Sequence, residues 1–251
     1  LPTSGTGGEI GRSEEQVQPG LLGRMFASLE VRNFRMFYIG QGLSLVGTWM
    51  RRTALMWLVY QLTGSMSKVG VVSALFLAPL FVFAPVAGAI ADRVDKRKLI
   101  LISQVGAFVT SATLAIIVAT NVAEVGHVMV LAVLGGTAFA FEVPARQSFV
   151  VELVGKKHLT NAIALNSALV NVARTLGPLF AGVVMGTLGM AMCFAIDALS
   201  YLIVIVILAA LKLPKFVPPV HTRSRLQSLA DGAREVFRNR PVRLVMILLV
   251  V

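Results

Sequence analysis

Five charged residues interrupt otherwise apolar stretches of this sequence: Arg51, Arg52, Glu142, Arg174 and Asp197. A charge at the centre of a bilayer costs about 2.5–3.5 kcal/mol on insertion scales, so such residues face a cavity or a partner. Guanidiniums there suit an anion, and a carboxylate can hold and release a proton. Arg51 stands 17 residues beyond Phe34, about 26 Å along a helix. Successive helical residues point about 100° apart. Arg51 and Arg52 are therefore expected to diverge, one lining a cavity and the other pairing or snorkelling. Ser167, Asn171 and Arg174 recur at i, i+4, i+7 as one polar stripe. Pro178 continues the stripe and can kink it. That stripe fits a substrate or coupling role, or a hydrogen-bond network between helices. Glu142 and Arg146 form an i, i+4 pair able to neutralise each other; alternatively Glu142 is a protonation site or part of a charge relay. Asp197 reads as an isolated proton carrier or as a packing carboxylate bonded to a partner. His127, His158 and His221 lack ligand-like neighbours and Cys193 is the single cysteine. No metal or cofactor is expected.

Six apolar segments are long enough to position these residues across a hydrocarbon core roughly 30 Å thick. They run over about 34–62, 69–91, 99–122, 125–143, 162–188 and 191–211. Runs of this length are helices, because lipid-exposed backbone must satisfy its own hydrogen bonds. The chain has 251 residues, 56% of them hydrophobic and 14% charged. A soluble domain carries about 25% charged residues, so a water-soluble enzyme or a DNA-binding domain is excluded. The net charge of +11 is instead topological. Arg12, Arg24, Arg32 and Arg35 precede the first span. Arg93, Lys96, Arg97 and Lys98 follow the second, Arg146, Lys156 and Lys157 the fourth, and eight basic residues lie between Lys212 and Arg243. Nineteen of 23 basic residues thus fall on one side, and Lys68 alone on the other. The positive-inside rule makes the N-terminus cytoplasmic and removes any need for nucleic acid as a partner.

Residues 1–20 are rich in Gly, Ser and Glu and are expected to be disordered. Leu21, Leu22, Met25, Phe26 and Leu29 suggest a short surface helix. Within the expected cytoplasmic linker, 214–240, Leu226, Leu229, Ala233, Val236 and Phe237 form the apolar face of an amphipathic helix. Leu1 in place of Met, and the apolar run 244–251, lead us to expect a piece of a longer chain, with a seventh span begun within 241–251.

The segment Gly88-Ala-Ile-Ala-Asp92-Arg93-Val-Asp95-Lys96-Arg97-Lys98 resembles the signature of the major facilitator superfamily. Gly88, Asp92, Arg93, Lys96 and Arg97 match, and Asp95 stands where that family usually has Gly. Ala84, Gly88 and Asp92 share a helix face whose small residues would allow close helix approach. Further matches are Arg32-Asn-Phe-Arg35, Gly47-Thr-Trp-Met50, the stretch from Glu142 through Pro144 and Arg146 to Val150, and Asn161 through Arg174 to Gly177, Pro178 and Gly182. Together they resemble the enterobactin-exporter-like, transmembrane secretion effector branch. Val151 departs from the Pro expected there.

The resemblance implies an all-α N-terminal transporter half of two inverted three-helix repeats, in a multi-pass bacterial inner-membrane protein. Its partners would be the bilayer, protons, a small-molecule substrate and the missing C-terminal half. It further implies proton-coupled export of a siderophore-like or drug-like molecule by alternating access. Asp92 and Arg93 would latch the cytoplasmic gate, with Pro144 and Arg146 in a cytoplasmic loop motif. Gly177, Pro178 and Gly182 partly resemble a glycine-rich antiporter motif and would serve packing or a kink. No phosphate-binding loop or nucleophile motif is present, so no enzymatic chemistry is expected. The membrane domain of an ATP-driven exporter and a non-transporting receptor or anchor are the alternatives.

Overall fold

A computed structural model describes residues 27–211. The tail 1–20, most of the expected surface helix, the linker 214–240 and the start of a seventh span lie outside the described residues. A short 3-10 turn, Ala27–Glu30, leads into six helices. They are α1 (Arg32–Thr63), α2 (Met66–Ala91), α3 (Lys96–Ala119), α4 (Val125–Gly155), α5 (His158–Thr187) and α6 (Met190–Ala210). No strand occurs among the described residues.

By length and composition, the five helices α2 to α6 could each cross a membrane. Helix α1 is 32 residues long, about 48 Å, but less apolar, since Gln41, Ser44, Arg51 and Arg52 lie within it. Gln41, Ser44 and Arg51 are buried in the bundle, and Arg52 is half-buried.

Turn chemistry sets several helix ends. Gly64 adopts φ 61° and closes α1, its N–H bonding the Tyr60 carbonyl. Asp95, in place of the family's Gly, takes φ −57° and caps α3. Its carboxylate accepts from the backbone N–H of Arg97 at 3.0 Å and of Lys98 at 3.4 Å. The departure therefore replaces a turn residue by an N-cap. Asp95→Ala is expected to lose about 1 kcal/mol, seen as a lower melting temperature of the complete protein.

The fourth segment overran its expected end. The sequence reading placed Pro144 and Arg146 in a loop after residue 143; both lie inside α4, which continues to Gly155. Pro144 leaves the helical backbone intact, and the break comes at Gly155, with φ 64° and ψ 177°. Pro178 likewise lies inside its helix, with no non-helical torsion there. The connection from α4 to α5 is a bend between two helices instead of a long loop.

Two apolar cores hold the bundle. One gathers Phe34, Phe37, Ile100, Ala145, Phe149 and Leu208 at the basic end. Phe37 and Phe149 meet edge to face at 5.3 Å there. The other gathers Met50, Leu58, Val72, Leu114, Val128 and Phe194 at the opposite end. Between the cores lies a buried polar layer of Gln41, Ser44, Arg51, Ser103, Gln104, Thr110, Ser111, Glu142, Asp197 and Ser200.

Small residues bring the helices into backbone contact across this layer. A Cβ on Gly136 would strike the Phe76 carbonyl oxygen of α2, with the carbonyl carbon at 2.9 Å. One on Gly177 would strike Trp49 Cβ, with Met50 N at 2.9 Å. One on Gly47 would lie 3.1 Å from Asp197 Oδ1. Gly88 and Gly182, expected to pack closely, meet nothing within 4 Å. Their faces are open among the described residues, so only Gly177 of the three has the expected packing role here.

Candidate functional site

The polar layer contains the structure's central ion pair. Arg51 Nε lies 2.9 Å from Asp197 Oδ2, with Asp197 fully buried and Arg51 nearly so. Ser111 of α3 donates to the same oxygen at 2.6 Å. Tyr201, one helical turn after Asp197, shares a 3.0 Å hydrogen bond with Thr48. Of the two readings of Asp197, an isolated carboxylate or one bonded to a partner, the structure shows the bonded arrangement. A lone ionised group in that interior would be prohibitive, and α1 and α3 supply its partners. Arg51 also stacks over Phe76, 5.8 Å from the ring centroid.

Glu142 and Arg146 form the i, i+4 pair that their spacing suggested, Oε1 to Nη1 at 3.6 Å. Glu142 is buried. This pair and the Arg51–Asp197 pair occupy different levels of the same layer.

A cleft of about 230 Å³ opens beside the layer, between α1, α2, α4 and α5. Arg51 and Arg52 both line it, with Trp49, Phe76, Phe139 and Arg146. The expected division, one arginine in the cavity and the other paired, is only half met: Arg51 pairs with Asp197 and lines the cleft as well. Its long stem reaches both.

Two cations approach the Trp49 ring. Arg52 Cζ sits 5.4 Å and Arg174 Cζ 5.2 Å from its ring centroid, inside the range of cation–π attraction. Among the described residues neither guanidinium has a carboxylate within ion-pair distance. Gly177 makes this possible, since its missing side chain lets α5 approach the backbone at Trp49. Ser167, Asn171, Arg174 and Pro178 are all exposed on the same stripe of α5. The Asn171 amide donates to the Ser167 carbonyl at 3.0 Å, within its own helix. The stripe is thus an open face, not a network between the described helices.

At the basic end, Lys96 Nζ lies 2.6 Å from Glu152 on the extension of α4. Arg97 donates to the Ala209 carbonyl at 2.8 Å, satisfying the C-terminal turn of α6. Asp92 is exposed and Arg93 half-buried, and neither forms an ion pair among the described residues. The motif's second basic pair thus ties α3 to the ends of α4 and α6, while Asp92 points away from this bundle.

Sequence reasoning missed Trp49, Ser111, Tyr201 and Glu152 as site residues, together with Gln41, Ser44 and Thr48. The last three had a signal: 41, 44, 48 and 51 recur at i, i+3, i+7, i+10 in one helix.

A bundle of long apolar helices around a buried charge layer, with a cationic cleft at its open face, defines a multi-pass membrane protein. The chain belongs to the transmembrane secretion effector family of the major facilitator superfamily, whose model matches residues 24–251. It is 28% identical over 172 residues to the staphyloferrin A transporter of Staphylococcus aureus, covering 68% of this chain and 43% of that protein. It is 29% identical over 204 residues to the multidrug efflux pump Tap of Mycobacterium tuberculosis, covering 79% and 47%. It is 24% identical over 182 residues to macrolide efflux protein A of Streptococcus pyogenes, covering 72% and 45%. The chain spans about half the length of the curated relatives it matches.

Proposed function

We propose that the complete protein is a secondary transporter that exports a small anionic organic molecule in exchange for protons, by alternating access. The observation that carries the substrate charge is the pair of guanidiniums on Trp49, with no carboxylate partner among the described residues and on the open face of the bundle. Two cations beside an indole favour a planar or multiply charged anion, held by charge-assisted hydrogen bonds and stacking. The 230 Å³ cleft is smaller than the roughly 300–1,000 Å³ of a complete ligand pocket. This agrees with a site that a second half completes near the membrane midplane. The relatives named as efflux pumps favour export, and the staphyloferrin A transporter supports a siderophore-like substrate. The family match favours this reading over an ATP-driven exporter or a receptor.

Asp197 is the coupling carboxylate in this reading. Protonation removes its negative charge and leaves Arg51 buried without compensation, a state worth several kcal/mol. Separation of α1 from α6 would relieve it, so proton uptake favours the other orientation of the transporter. By the positive-inside rule the basic end faces the cytoplasm. Exposed Asp92 is then placed to latch the gate against the missing half, and Asp92→Asn is expected to slow turnover without lowering membrane expression.

Proteoliposome flux of the complete protein tests the substrate class, with a panel of carboxylate and catecholate siderophores beside cationic macrolides. The anionic compounds are expected to move. Arg174→Ala is expected to reduce their transport about tenfold to a hundredfold, the worth of one hydrogen bond to a charged group. Transport of the macrolides alone, or an unchanged rate in Arg174→Ala, would refute the anionic reading.

A further inference from the structure

A second, smaller cavity of about 40 Å³ lies inside the polar layer. Its polar lining comes from Gln41, Ser44, Thr48 and Arg51 on α1, Thr110 on α3, Glu142 and Arg146 on α4, and Tyr201 on α6; apolar side chains, Phe76 and Phe139 among them, cover the rest. Those α1 residues form one continuous stripe, running from the level of Glu142 outward to the Arg51–Asp197 pair. Ten residues separate Gln41 from Arg51, a rise of about 15 Å.

Two orphaned oxygens mark the route. Gln41 Oε1 is buried, lines the chamber and has no hydrogen-bond partner. Asp197 Oδ1 is buried and unpartnered in the same way, while its other oxygen is held by Arg51 and Ser111. An unsatisfied buried polar atom is costly, and a chamber of this size has room for about two waters.

We propose that this chamber is an internal water-binding site that carries protons from Glu142 to Asp197. The inference rests on the proton-coupled reading above and names the path within it. Glu142 faces the basic end and is paired only loosely with Arg146, at 3.6 Å. Its carboxyl O–H bond breaks, chamber water accepts that proton and passes on one of its own, and a new O–H bond forms at Asp197 Oδ1. One carboxyl is ionised and the other is neutralised, so atoms and charge balance. Charged or titratable groups face the route from α1 (Arg51), α4 (Glu142, Arg146) and α6 (Asp197, Tyr201). Asp197 itself does not line the chamber; Thr48 and Tyr201, which line it and share a 3.0 Å hydrogen bond, would carry the proton on toward Asp197. Arg51 and Arg146 line both the chamber and the larger cleft, which places the proton route directly behind the substrate site.

The test is a pH jump on the complete, purified protein in vesicles, followed by time-resolved infrared spectroscopy of protonated carboxyl groups. Asp197→Asn assigns the Asp197 band by removing it. Glu142→Gln keeps shape and loses the proton, and Gln41→Leu keeps bulk and loses the water anchor. Both are expected to slow the appearance of the Asp197 band at least tenfold while leaving its final amplitude unchanged, and Gln41→Asn should recover part of the rate. A merely structural role would alter amplitude or stability instead. Wild-type loading in Glu142→Gln, which does not depend on Gln41→Leu folding, would overturn the chamber route. If no band disappears in Asp197→Asn, the proton-coupled reading fails instead.

Discussion

Asp197→Ala is expected to destabilise the complete protein by about 3–5 kcal/mol, the usual result of removing one partner from a buried ion pair. The loss comes less from the 2.9 Å contact itself than from what remains. Arg51 is 7% exposed, and no second carboxylate pairs with it among the described residues. Arg51→Ala should be similarly severe, because it leaves a carboxylate that is wholly buried with only the Ser111 hydroxyl. The double variant Arg51→Leu with Asp197→Leu should recover most of the stability, since two packed aliphatic side chains replace two desolvated ions. It should not recover proton-driven transport. Thermal melts of the purified protein, read beside flux, separate the two effects. A double variant no more stable than either single one would show that the pair is held for packing that leucine cannot reproduce.

Gly136→Ala is expected to lose about 3 kcal/mol, the upper range for overpacking. Its new methyl group would enter the backbone of α2 at Phe76, and backbone cannot swing aside as a side chain does. The neighbouring residue supplies the control. A Cβ on Gly135 meets Phe76 Cε2 and Thr110 Oγ1 at an ordinary 3.7 Å. Gly135→Ala should be neutral, or slightly stabilising through helix propensity. Expression level and melting temperature of the two adjacent variants decide the matter. Equal behaviour would mean that α2 and α4 separate more easily than their contact implies.

Much of the fold was legible in the sequence. Apolar run length located six helices, because a bilayer accepts only backbone that bonds to itself. Charge asymmetry between loops suggested which ends lie together, and the spacing from Gly88 to Arg97 placed the chain in its superfamily. The end of the fourth segment was misjudged for a physical reason. Glu142, Pro144 and Arg146 ended the apolar run, but α4 does not end where that run does, and its continuation is held by Lys96 on Glu152 and by Phe149 in the apolar core.

The candidate site divides in the same way. Arg51, Arg52, Arg174, Glu142 and Asp197 stood out because a charge in an apolar run is rare. Their partners did not. Arg51 and Asp197 stand 146 positions apart in the sequence, and helical periodicity gives only the angle between residues on one helix, not the direction of that helix toward its neighbours. The chain's own residues determined that charges would be buried and which ones. Only the packing of α1 against α3 and α6, through Gly47 and beside Ser111, decided that Arg51 and not Arg52 would meet Asp197. The close approach at Gly177 brought both Arg52 and Arg174 to the Trp49 ring. Pairing across helices depends on the distance and rotation of whole elements, and these are set by the sum of all contacts, not by any local pattern.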